Sequence, residues 1–223
     1  MCGRFTLFVS SELLSAHFRL DSSENIIPQY NIFPSQTIPC IIQDVTGKRV
    51  IKFFRWGLIP GWAKDPKIGN RLINARSETV ETKPAFRSAF KYRRCLIPSS
   101  GFFEWKRIEK RKHPYFIGIS NGEPFAFAGI WEHWTDPDGK AVETCAILTT
   151  TCNDLVGDIH NRMPVILKSG DYDLWLNPEA PVDALKNLMK PFPAELMETH
   201  EVTNLVNNPR CNTPECIIPV HPD

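Results

Sequence analysis

Residues 37–43, TIPCIIQ, and 50–56, VIKFFRW, flank the turn-forming residues Thr46-Gly47-Lys48. Both runs are rich in β-branched and aromatic residues, and the glycine between them supplies a tight reversal. That pattern predicts a β-hairpin, with strands over Thr37–Gln43 and Val50–Trp56. Outward from it, the same logic predicts strands at Arg94–Pro98 and Gly101–Arg107, joined at Ser99-Ser100-Gly101, and a return at Tyr115–Ile119. Two more, Phe125–Trp134 and Thr144–Thr151, flank the turn at Asp136-Pro137-Asp138-Gly139. Helical signals are short: Ser11–Leu20 behind a serine cap, Pro84–Phe90, Asn153–Asp158, Asp171–Leu176 and Val182–Met189. Pro28–Pro34 reads as irregular, residues 57–62 as a shaped loop, and the tail from Glu195 as extended and polar. The expected class is α+β: predominantly antiparallel β-sheets in a barrel-like arrangement, with short peripheral helices. No linker interrupts residues 1–223, so a single domain is expected.

The chain has 223 residues, 42% of them hydrophobic and 11% aromatic, which is enough for a substantial core. No apolar run is long enough to span a bilayer, and the N-terminus lacks the basic-then-apolar order of a secretory signal. Seven cysteines are scattered without a CxxC pair, which argues against zinc and for free thiols in a reducing, cytoplasmic setting. The net charge is +1, yet residues 48–113 hold 18 Lys and Arg against 5 Asp and Glu. That segment predicts an electropositive face suited to a polyanion, unless the acidic flanks neutralise it in space.

Four places carry chemistry-bearing residues. Cys2 follows the initiator Met1, and loss of Met1 would leave an α-amine and a thiol on one residue. The amine's ordinary pKa is about 8 and the thiol's about 8.5, and Arg4 is expected to lower the latter. Such an aminothiol condenses with an aldehyde, first as a Schiff base and then as a five-membered thiazolidine. Asn74-Ala75-Arg76-Ser77-Glu78 offers an amide and a guanidinium for a sugar and a phosphate, or else a structural Arg76–Glu78 pair. Glu104 lies on a predicted strand with Phe102 and Lys106 on its face and with Phe103 and Trp105 on the other. A carboxylate among apolar neighbours is suited to general acid or base work. His160 and Arg162 in His160-Asn161-Arg162-Met163-Pro164 add a proton carrier and a second guanidinium. Trp56, Trp62 and Trp105, with Pro34 and Pro60, are candidates for stacking or wedging against bases, or for plain core packing.

Taken together, these motifs resemble those of the SOS-response-associated peptidase (SRAP) family. They are Met1-Cys2-Gly3-Arg4-Phe5, Tyr30-Asn31 with Pro34, the 55–62 segment, Asn74–Thr79, Cys95–Pro98, Gly101–Trp105 and His160–Pro164. The resemblance covers almost the whole chain and points to the bacterial and phage members that process abasic sites. It implies a sensor of abasic sites in single-stranded DNA that captures the sugar aldehyde covalently at Cys2, with lyase activity and self-removal of Met1. By motif position it implies Cys2, Asn74, Glu104 and His160 as the catalytic set. Arg4, Asn31, Pro34, Trp62, Arg76, Trp105 and Arg162 would line the DNA path. It implies no cofactor and no metal, DNA as the partner, no membrane, and a monomer. Two other readings of the residues stay open: an N-terminal nucleophile amidohydrolase using Cys2, and a non-catalytic single-strand binding module.

Overall fold

The computed structural model describes residues 2–21 and 24–220. Met1, and with it the expected self-removal, lies outside the described residues. The first half of the chain contributes β1 (Arg4–Leu7), α1 (Ser11–Phe18), β2 (Gln29–Ile32), β3 (Thr37–Gln43), β4 (Arg49–Trp56), β5 (Asn74–Arg76), α2 (Arg87–Tyr92), β6 (Arg94–Ser99) and β7 (Gly101–Ile108). Then follow β8 (Arg111–Ile119), β9 (Phe125–Thr135), β10 (Ala141–Thr151), α3 (Asp154–Gly157), β11 (Arg162–Pro164), β12 (Ile166–Leu167), α4 (Tyr172–Leu176), α5 (Val182–Leu188) and β13 (Met197–Glu201).

The opening hairpin forms as expected, with Ile41 opposite Ile51. It is the seed of a closed ring. β4 pairs with β3, β3 with β6, β6 with β9 and β9 with β10, all antiparallel, and β10 returns to β4 in parallel. The result is a five-stranded mixed barrel. Alternate side chains point inward, so Ile38, Cys40, Cys95, Ile97, Cys145 and Ile147 share the barrel interior, with Cys40 Sγ 3.8 Å from Cys145 Sγ. A second, open sheet runs β13-β8-β7-β1-β2 and is antiparallel throughout. Phe5 of β1 packs edge-on against Trp56 and Phe127, which docks the open sheet on the barrel. The α+β expectation therefore stands, with the parallel β4–β10 pair as an addition.

Local differences have local causes. β6 and β7 are consecutive but belong to different sheets, and the chain crosses between them at Ser100, whose N–H donates to Thr6 O. Pro28–Pro34 is not irregular: between its prolines lies β2, an edge strand, where a proline at either end removes no ladder bond. Helix α2 starts at Arg87 rather than Pro84, because Lys83–Phe86 first closes a separate turn. The tail is folded, with β13 and short 3-10 turns burying Val202, Val206 and Cys216. Helix α1 ends at Phe18, and its cap is Ser10, whose hydroxyl accepts from Leu13 N–H.

Part of the basic segment is internal. Arg94 is buried and donates to the carbonyls of Phe90, Lys91, Trp175 and Asn177, closing the ends of α2 and α4. Buried Arg49 pairs with Asp173, and Arg93 pairs with Glu132. Three of the 18 charges thus hold helices to the barrel, and the electropositive face is correspondingly smaller than the sequence suggests.

Gly101 tests how tightly the open sheet closes. A Cβ there would sit 2.2 and 2.5 Å from the Phe116 ring. Phe116 is itself held edge-on by Phe103, so the ring has little room to yield. Gly101→Ala is expected to destabilise the fold by about 2 kcal/mol, read as a lower urea midpoint at unchanged slope.

Candidate active site

β1 runs antiparallel to β7 with Arg4 opposite Phe103 and Phe5 opposite Phe102. Continued toward the N-terminus, that register brings Gly3 and Cys2 beside Glu104 and Trp105. The Cys2 side chain is fully buried, and its carbonyl accepts from Asn74 Nδ2 at 2.8 Å. Asn74 opens β5, which pairs in parallel with the last half of β10. β11 pairs with β10 as well, antiparallel. His160 lies two residues before β11, and its Nδ1 meets both the N–H and the carbonyl of Arg162, at 3.0 and 3.2 Å. The site therefore lies where the open sheet meets the forked end of β10, and Cys2, Asn74, Glu104 and His160 converge there.

Burial sets the electrostatics. Glu104 is only 3% exposed. Desolvation raises its carboxyl above the ordinary value, and the nearby His160 opposes that rise in part. The Cys2 thiol is also pushed far up, first by burial and then by the charge of Glu104. The expected lowering by the Arg4 guanidinium does not occur. Arg4 meets the thiol through its backbone carbonyl, which accepts from Sγ–H at 3.7 Å, while its guanidinium turns to Asn31 Oδ1 at 2.8 Å. Cys2 is a neutral thiol beside a carboxyl group of raised basicity. Asn74 Oδ1 is buried and has no hydrogen-bond partner among the described residues. An orphaned acceptor at that depth costs about 1–3 kcal/mol, which a ligand hydroxyl or amine would recover.

The remaining candidates separate into exposed and committed groups. Arg76 is exposed at the end of β5, and Trp62 is 62% exposed. Trp62 projects from the 57–62 loop, whose start is pinned by close contact between Gly57, at φ 132°, and the carbonyl of Gly69. Pro34 lies half-buried in the turn after β2. Trp105 is half-buried and donates from Nε1 to Asn207 Oδ1. Asn31 is only 1% exposed: its Nδ2 donates to the carbonyls of Val206, Asn208 and Cys211, and its Oδ1 accepts from Arg4 Nη1. Arg162 is occupied too. It forms a bidentate pair with Glu78, at 2.6 and 3.0 Å, and also donates to the Thr149 carbonyl. The structural partner of Glu78 is thus Arg162 rather than Arg76. Trp56 is fully buried and is core packing.

Sequence reading missed Thr149, Asn207 and Asn212. Asn212 Oδ1 accepts the backbone N–H of Tyr30 and of Asn31, a contact across about 180 residues that no local pattern signals. Among the described residues, no three His, Cys, Asp or Glu side chains are grouped to hold a metal. No described helix is long and apolar enough to cross a membrane.

Residues 1–209 match the family model described as SOS response associated peptidase (SRAP). The chain is 46% identical over 222 residues to the abasic site processing protein YoqW of Bacillus subtilis, covering 97% of this chain and 99% of that one. It is 32% identical to the abasic site processing protein HMCES of Xenopus tropicalis, over 90% of this chain and 69% of that protein. A crystal structure of a Bacteroides thetaiotaomicron protein superposes with a TM-score of 0.90 at 28% identity, covering 99% of this chain and all of the other.

Proposed function

Because this chain belongs to the SOS response associated peptidase family, we propose that it processes abasic sites in DNA and captures them covalently through Cys2. What carries the reading is the convergence of Cys2, Asn74, Glu104 and His160, with the unpartnered Asn74 Oδ1 beside the Cys2 carbonyl. It is supported by similarity over nearly the full length to proteins named for abasic site processing.

The chemistry follows from the groups present. Hydrolysis of the Met1–Cys2 peptide bond frees the α-amine of Cys2. An abasic deoxyribose in its ring-opened form presents an aldehyde. The amine adds to the carbonyl carbon and water leaves, giving an imine. The thiol then adds across the C=N bond: sulfur bonds to carbon and the proton goes to nitrogen, closing the thiazolidine. Glu104, protonated more readily than an ordinary carboxyl, gives a proton to the sugar oxygen as the ring opens. His160 is the second proton carrier. Burial keeps Cys2 as an unreactive thiol until the imine forms beside it, which protects it from adventitious oxidation. If the imine instead loses a proton from the neighbouring carbon, the 3′ phosphate is eliminated, which is lyase chemistry. Captured DNA would be shielded, a role in the response to DNA damage, and the exposed Trp62 suits stacking against an unpaired base of a single strand.

Of the DNA-path residues, Arg76 and Trp62 are exposed and available to the strand, and Pro34 is half-buried. Trp105 contributes a partly exposed edge, and Asn31 and Arg162 act by fixing Arg4 and β11. Arg76→Ala is expected to weaken non-covalent binding several-fold on every single-stranded sequence. In a salt titration the log–log slope should shrink by about 0.7, the value of one lost phosphate contact. An unchanged slope would remove Arg76 from the interface.

The proposal is tested by mixing the purified protein with single-stranded DNA carrying one abasic site, then running a denaturing gel. A slow-migrating adduct is expected. It should be absent with intact DNA and with a site whose aldehyde has been reduced by borohydride. Mass spectrometry should find the reactive protein without Met1. A Met1-free protein that gives no adduct overturns the reading and leaves the amidohydrolase or simple binding alternatives.

A further inference from the structure

The segment after β13 behaves as a strap across the open sheet. Two 3-10 turns, Asn204–Asn207 and Pro214–Cys216, frame it, and Val206 and Cys216 are buried against Phe103 and Phe116. Its backbone carbonyls at 206, 208 and 211 hold the Asn31 amide, and its Asn212 holds the N–H groups of Tyr30 and Asn31. Asn207 holds the Trp105 indole. The strap is therefore what fixes Arg4, through Asn31, and Trp105.

Two free cysteines lie at its far end. Cys211 is part-exposed and Cys216 is buried, and the Cys216 Sγ–H donates to Cys211 Sγ at 3.6 Å and to the Cys211 carbonyl. Their spacing, Cys-x4-Cys, lets the 213–216 turn fold one sulfur back onto the other. Both lie beyond residue 209, where the family match ends. Nothing in the covalent capture at Cys2 uses them. The sulfurs of Cys40, Cys95 and Cys145 also lie close together, and all three are sealed inside the barrel.

We propose that Cys211 and Cys216 are a modification site, an oxidisable dithiol that hydroperoxides convert to a disulfide, fixing the turn that carries Asn212. Cys211, the accessible sulfur, attacks the peroxide as its thiolate. The O–O bond breaks, Cys211 becomes a sulfenic acid, and the departing hydroxide or alkoxide takes a proton. Cys216 then attacks the Cys211 sulfur, and the S–O bond breaks. The leaving hydroxide takes the Cys216 proton as water. The two thiols lose two electrons, and the peroxide is reduced by two. The crosslink closes a short loop around Asn212 and restricts that turn, so the N–H groups of Tyr30 and Asn31, and through Asn31 the Arg4 guanidinium, are held more firmly when oxidants are present.

The test needs no DNA, so it stands or falls apart from abasic-site capture. Cleavage after Arg210 releases a tryptic peptide whose two cysteines are Cys211 and Cys216. After treatment of the whole protein with hydrogen peroxide, that peptide should lose two hydrogens and resist alkylation until reduced. Amide exchange at Tyr30 and Asn31 should slow roughly tenfold in the oxidised protein, in line with a short-loop crosslink, and recover with dithiothreitol. Cys211→Ser, a change at the accessible sulfur, should show neither effect, and Cys216→Ser should stop at a sulfenic acid. A peptide that stays fully alkylatable at peroxide levels oxidising no other cysteine overturns the proposal. So does a disulfide that forms without slowing exchange at residues 30 and 31.

Discussion

Cys2→Ala will give no denaturation-resistant adduct with abasic single-stranded DNA unless a reductant is added, while non-covalent binding of the same strand changes by less than about threefold. The substitution deletes the one atom that closes the ring. It leaves Arg76 and Trp62, the exposed residues proposed to hold the strand, untouched. An imine through the free amine could still form, but without sulfur it hydrolyses when the gel denatures the protein. Adding borohydride before denaturation should trap it, and that product separates loss of the thiol from loss of the amine. The variant should fold. Removing a single buried sulfur from the main core costs on the order of 1 kcal/mol, well inside a domain's stability. Cys2→Ser, nearer in size, guards against a packing artefact: its hydroxyl is a far poorer nucleophile towards the imine, so it should also give no stable adduct. A wild-type-like adduct from Cys2→Ala, resistant to denaturation, would move the chemistry to another residue.

How much of this was legible without coordinates depends on the range of the forces involved. The hairpin at 37–56 and the strands from 94 to 151 are written in alternation and turn chemistry, which are local, and they formed within a few residues of expectation. Barrel closure was not legible, because the parallel β4–β10 pair joins residues about 90 apart and leaves no local mark. The site residues stood out by type, but burial decided what each can do. Arg4 was expected to acidify Cys2, yet desolvation beside Glu104 dominates and the thiol's affinity for its proton rises. Asn31 and Arg162 were expected on the DNA path, and what the sequence could not show is that the Asn31 amide meets carbonyls of the strap while Arg162 meets Glu78 and the Thr149 carbonyl. The basic segment likewise lost Arg49, Arg93 and Arg94 to internal carbonyls and carboxylates. A charge count gives the supply of cations and says nothing about which of them reach the surface.

Glu104→Gln should slow adduct formation by about 100-fold at neutral pH, within the usual range for loss of a positioned acid or base. The pH profile distinguishes a proton carrier from a structural carboxyl. Wild-type capture needs an uncharged amine, whose fraction grows as pH rises to about 8, and a protonated Glu104, whose fraction falls as pH rises through its raised pKa. The two demands give a bell. The amide of the Glu104→Gln variant removes the acid requirement, so its rate should climb monotonically to a plateau near the amine's pKa, with no high-pH fall. Stability should move the other way. A carboxyl whose folded pKa exceeds its unfolded value binds more protons when folded between the two. Its burial is therefore tolerated at low pH and becomes a growing penalty as pH rises through the folded pKa. The neutral amide carries no such penalty, so Glu104→Gln should melt higher than wild type at pH 8 and show a smaller difference at pH 4. A variant that is slower yet keeps the bell, or that is destabilised at pH 8, would make Glu104 a packing residue and leave His160 as the proton carrier. A variant that is slower, more stable and monotonic in pH would mean that the fold spends stability to keep an ionisable acid where the sugar opens.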